Sequence, residues 1–181
     1  MQFKYFIIGL LFLFVGTTSN DETMIWNEAR KLSWADFKAN PDPASDAVAL
    51  TASGITFGYS VKTSNRRIVD FSTTVEAHFY PAKSWYIKEK GDDHVLGHEQ
   101  LHFDITELYV RKFRKQLDRL VVNQNIKKQM EQIHVAINKA LEESQKTYDA
   151  QTNHSINVEA QKYWETFIAE ELKKLDKYKS Q

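Results

Sequence analysis

Within residues 97–107, GHEQLHFDITE, the side chains His98, Glu99 and His102 form the pattern His-Glu-x-x-His. Successive residues of an α-helix advance about 100°, so His98 and His102 lie only about 40° apart and both rings can converge on one ion. Glu99 lies about 60° from His102, close enough to take a proton from water beside that ion without ligating it. Zinc is the ion this donor set suits: it lowers the pKa of water toward ~7 and so prepares a nucleophile for a peptide carbonyl. The competing reading is a solvated or core-capping helix that carries two incidental histidines.

Composition narrows the chemistry. The chain has no cysteine, so any metal must be held by nitrogen and oxygen, and disulfides and a thiol nucleophile are excluded. Lysine plus arginine equals aspartate plus glutamate at 24 each, which leaves no net charge and no basic face for nucleic acid. With 181 residues, 42% of them apolar and 13% aromatic, the chain can build one real core, hence one domain. Residues 1–20, MQFKYFIIGLLFLFVGTTSN, place Lys4 before an apolar run from Tyr5 to Val15 and then small polar residues. That run is shorter than the ~20 residues needed to span a bilayer, so it reads as an export signal cleaved near Thr18 to Asn20. The mature domain, 21–181, is then secreted or periplasmic, and an uncleaved anchor is the alternative.

Hydrophobic period assigns the motif to its surroundings. Ser33 and Asp36 form a capping-box pattern for one short helical turn within WNEARKLSWADF, and Asn40–Pro43, NPDP, ends that turn. Residues 47–61 alternate through Ile55, Phe57, Tyr59 and Val61, and 67–80 alternate through Val69, Phe71, Thr73 and Val75, with KTSNRR between them as a hairpin turn. Trp85 and Tyr86 continue as a short strand. No proline follows Pro81 and no glycine follows Gly97, so the remainder predicts helices near 94–120, 124–147 and 157–176. The expected class is α+β: a small N-terminal antiparallel sheet, then long helices, with the motif on the first of them. The edge of the strand at 67–80 is expected to lie along the substrate groove.

Four stretches, KLSWADF at 31–37, Ser84-Trp85, HEQLHFDITELYVRK at 98–112 and YDAQTNH at 148–154, together resemble a family of bacterial predicted secreted zinc-dependent proteases of uncharacterised substrate. The resemblance implies a zincin-like metallopeptidase acting on peptide or protein substrates. It covers most of the mature chain, with one departure: the family usually has glycine where this sequence has Ser155.

A catalytic zinc needs a third protein ligand. Asp104 and Glu107 lie about 240° and 180° around the helix from His98 and face away. Among the other histidines, His134 sits mid-helix, His78 in a strand and His94 before the helix, whereas His154 lies in a polar stretch, DAQTNHS, that reads as a loop able to swing a ring inward. The expected ligands are therefore His98, His102 and His154. Asp149 is either a substitute ligand or a carboxylate that orients an imidazole, and Tyr148 is a candidate oxyanion donor. The plainer alternative makes Asp149, Thr152 and Asn153 turn and capping residues of the next helix. Two functional alternatives remain. Glu99-x-x-His102 and Glu131-x-x-His134 repeat the element of dinuclear carboxylate sites in helical bundles. An exported module could also bind zinc or a peptide without cutting it, and only Glu99, useless to a binder, separates that reading from catalysis.

Overall fold

The computed structural model describes residues 22–180, so the expected export segment lies outside the described residues. Five strands precede three helices: β1 (Met24–Ile25), β2 (Ala49–Leu50), β3 (Ser53–Ser64), β4 (Arg67–Phe79), β5 (Trp85–Tyr86), α1 (Asp93–Leu117), α2 (Ile126–Thr152) and α3 (Val158–Lys174). The class is α+β, as the change of period near residue 93 predicts. Among the described residues no helix is long and apolar enough to cross a membrane.

The hairpin β3–β4 turns through Asn65 and Arg66, both at positive φ (48° and 63°), the conformation a two-residue turn needs to match strand twist. Its register shifts between Lys62 and Thr63, leaving Val69 as the unpaired residue of a bulge. That shift turns Val69 outward, against its expected place beside Phe71, and Ile68 packs against the core instead.

The sheet order is β1-β4-β3, with β2 and β5 forming a separate antiparallel pair. This corrects the expected groove. The cleft beside the motif is lined not by β4 but by β2 and its flanks, residues 47–51, and β2 pairs Ala49 with Tyr86 and Leu50 with Trp85.

α1 is the axis of the molecule. Phe103, Val110 and Phe113 pack with Val75, Ala77 and Phe79 of β4, while Leu101, Ile105 and Leu108 pack with Leu141 and Tyr148 of α2 and Trp164 and Ile168 of α3. Its N-terminus is fixed by Asp92, whose side chain accepts from Val95 N at 2.8 Å. A helix buried on so many sides must also pair its polar residues. Asp104 accepts from Trp26 Nε1 at 2.6 Å, and Glu107 accepts from Arg111 Nε at 2.9 Å and from the Ser180 hydroxyl at 2.9 Å. Both carboxylates thus face away from the motif, as helical geometry requires.

Candidate metal centre

The helix at α1 puts His98 and His102 one turn apart, and α2 brings Asp149 against them. Asp149 Oδ1 lies 3.2 Å from His98 Nε2 and 2.9 Å from His102 Nε2, and the two Nε2 atoms are 3.2 Å apart. Donor atoms around a cation at about 2.1 Å stand roughly 3 to 3.5 Å from one another, so these three atoms have the spacing of a metal-ligand set. His98, His102 and Asp149 are the group among the described residues with that convergence. The chemistry of the donors agrees: three lone-pair-bearing atoms face one point where a single shared proton cannot satisfy them all.

The orientation of His102 is set from outside the group. Its Nδ1 donates to Gln145 Oε1, which turns Nε2 toward the group as the nitrogen able to ligate, and Gln145 Nε2 donates back to His102 O at 2.9 Å. Burial alone would lower the His102 pKa, but the bond to Asp149 and the charges of Glu99 and Asp149 outweigh it and leave the value raised. Burial likewise opposes charge on Asp149, yet the bonds and charges of His102 and His98 hold its carboxyl well below the usual carboxylate range. Asp149 is therefore ready as an anionic ligand.

Glu99 stands on the same turn, 4% exposed, and its Oε2 has no hydrogen-bond partner; His98 Nδ1 is also buried without one. Glu99 lines a cleft of about 380 Å³ together with His98, His102, Asp149 and the β2 segment. Thr51 ties that segment to the helix, its hydroxyl donating to Glu99 O at 3.2 Å. A larger cleft, about 720 Å³, lies across α1 and includes Trp26, Lys31, Gln100 and Asp104, but it holds no convergent ligand group.

Two expected roles change. α2 runs through Thr152 because 148–152 contains neither proline nor glycine, so Tyr148 and Asp149 belong to the last turns of a helix rather than to a loop. Asp149 is thereby carried to the position expected of His154. The His154 side chain is 72% exposed, its Nδ1 is 3.9 Å from Asp149 Oδ1, and it rims the cleft outside the convergent group. Tyr148 is fully buried. Its ring stacks on His98 at 4.5 Å and meets His102 edge-on at 5.0 Å, and its hydroxyl donates to His98 O at 3.4 Å instead of facing the cleft. Burial first, then the nearby charge of Glu99, raises its pKa and keeps it neutral. Tyr148 braces the histidines.

The second Glu-x-x-His element does not build a dinuclear site. His134 stacks on Phe113 (5.7 Å, 8°) and tilts over Phe57 (5.1 Å), while Glu131 is exposed. Gln145 escapes sequence reasoning altogether. Its one local signal is that it precedes Asp149 by four residues, which places both on one face of α2.

The family described as bacterial protein of unknown function (DUF922) matches residues 27–155, a span that contains His98, Glu99, His102, Gln145, Asp149 and His154. No curated protein and no solved structure matches the chain.

Proposed function

The chain belongs to this DUF922 family of bacterial proteins, and from its metal-ligand geometry we propose that it is a secreted or periplasmic zinc-dependent endopeptidase. One observation carries the reading: Glu99, a buried glutamate whose Oε2 has no hydrogen-bond partner, lines the same cleft as the His98–His102–Asp149 group. A module that only bound metal or peptide would gain nothing from burying that carboxylate without a partner, which is costly in itself.

His98, His102 and Asp149 would hold the ion, and a bound zinc would polarise the scissile carbonyl and acidify a water beside it. Glu99 takes the proton of that water as its oxygen bonds to the carbonyl carbon and the C=O π pair moves onto the carbonyl oxygen. Glu99 then returns the proton to the amide nitrogen as the C–N bond breaks and its electron pair stays on nitrogen. The substrate would lie against β2. Ile87 N donates to Val48 O at 2.9 Å on the β5 side, so strand alternation turns the backbone N–H and C=O of Ala49 toward the opposite edge, where an extended peptide can add. Ala47, Val48, Ala49 and Leu50 line the cleft with small and apolar side chains, which suits an apolar residue next to the cleaved bond.

The test is zinc content and cleavage measured together. Protein made from residue 21 onward should bind one zinc per chain and hydrolyse members of a broad peptide library. Full zinc occupancy with no cleavage across that library would overturn the peptidase reading in favour of an exported binding module.

A further inference from the structure

α2 ends in an unusual way. One left-handed residue is enough to terminate a helix, yet three consecutive residues that are not glycine hold positive φ here: Asn153 (48°), His154 (51°) and Ser155 (73°). Strain of this kind persists only where the surroundings impose it. His154 N bonds Asp149 O at 3.0 Å, Asn157 N bonds Thr152 O at 2.7 Å, and His94 Nε2 donates to Ser155 O at 2.6 Å, tying the turn to the first turn of α1. The consequence is that the His154 ring stands at the mouth of the cleft.

Several polar side chains in and beside the cleft are committed elsewhere. The Thr51 hydroxyl donates to Glu99 O, Ser53 and Thr106 share a hydrogen bond at 2.7 Å, and the Gln145 amide is bound to His102. The Tyr148 hydroxyl is turned to His98 O. The ring nitrogens of His154 make no hydrogen bond among the described residues, and the nearer one is 3.9 Å from a ligand atom of the metal group. That nitrogen falls outside the convergent group, whose atoms lie 2.9 to 3.2 Å apart, and its side chain is 72% exposed at the edge of the cleft. Such contacts are commonly long without substrate and tighten when the reacting group is present.

We propose that His154 is a catalytic hydrogen-bond donor to the carbonyl oxygen that gains negative charge when water adds to the scissile bond, and not a metal ligand. The proton stays on the imidazole throughout; the ring contributes a dipole or charge aimed at the developing oxyanion. This assignment rests on the peptidase reading above.

The experiment compares zinc-loaded wild type with His154→Ala and His154→Gln, measuring zinc affinity, kcat and KM on a cleaved peptide, and the affinity of a phosphinic peptide whose tetrahedral anionic centre imitates the adduct. His154→Ala should keep one zinc per chain and a KM within about threefold, lose about 100-fold in kcat, and lose phosphinic-peptide affinity by a similar factor. His154→Gln, with an N–H still to donate, should recover part of both. Loss of zinc in His154→Ala would make it a ligand and overturn the assignment, as would unchanged kcat and analogue affinity beside an active wild type. A wild type that neither cleaves peptides nor binds the phosphinic peptide overturns the peptidase reading and this assignment with it.

Discussion

Gln145 grips His102 at two points, its amide oxygen accepting from the ring Nδ1 and its amide nitrogen donating 2.9 Å to the backbone oxygen of the same residue. One side chain of α2 thereby fixes both the tautomer and the tilt of a ring carried by α1. The same amide approaches the Thr106 hydroxyl at 3.3 Å, so it spans a full turn of the helix it orients.

Replacing Gln145 with alanine frees that ring without removing a ligand. Zinc affinity of Gln145→Ala should fall about 10- to 100-fold, the usual loss when the group orienting a ligating histidine is removed. Competition against a chromophoric chelator measures it. Asp149→Ala, which removes a donor, should lose far more, and equal losses in the two variants would mean that Asp149 does not ligate.

Glu99→Gln keeps the shape of the side chain and removes the base. The variant should retain zinc stoichiometry and far-UV circular dichroism while peptide hydrolysis falls about 10²- to 10⁴-fold. Undiminished turnover would strike Glu99 from the chemistry.

The protonation of the group sets the pH dependence of metal binding. In the metal-free protein the raised pKa of His102 stabilises the fold at pH below its unfolded value near ~6.5, and this is lost as pH rises through the folded value. The lowered pKa of Asp149 stabilises above its unfolded value near ~3.9, and this is lost as pH falls through the folded value. The two contributions overlap between about pH 4 and 6.5, where stability of the metal-free protein drawn from this pair should be greatest. Zinc must displace the His102 proton, so its affinity should rise by about tenfold per pH unit until His102 is neutral and then level off. A pH-independent binding constant from pH 5.5 upward would contradict this protonation state.

The left-handed run at the end of α2 is the place to gain stability. Ser155 holds φ 73°, a conformation that costs a residue with a Cβ of order 1 kcal/mol and costs glycine little. Ser155→Gly should therefore raise thermal stability by about 0.5–1 kcal/mol, or roughly 2 °C in Tm, with the His94 bond to the residue-155 carbonyl preserved. A lower Tm would show that the serine side chain contributes something the backbone angle does not reveal.

The parts of this site written locally are the parts that sequence discloses. His98, Glu99 and His102 are legible because one helical turn brings them together whatever the rest of the chain does. The third donor depends on where α2 stops, and YDAQTNH carries polar residues that suit a loop as well as a final helical turn. Extra residues of helix move Asp149 into the group and leave His154 at the rim. Met24–Ile25 is too short to show alternation, so the strand β1 has no local signal, and Val69 reads as inward because a bulge has no signal in hydrophobic period. The β2–β5 pairing joins segments more than thirty residues apart, and nothing local announces it.

His98 and Asp149 are 51 residues apart in the chain, and their facing atoms are 3.2 Å apart. An ion held between them would fasten α1 to α2 at a single point and close a loop of that length, the topological counterpart of a disulfide in a protein with no cysteine. Closing about 50 residues restricts an unfolded chain by roughly 4 kcal/mol in the chain-entropy treatment. Stripping the ion would therefore do more than silence a reaction: it would untie a cross-link and loosen the end of α2 from its neighbour. The supply of the metal would then set how long the folded chain resists proteolysis.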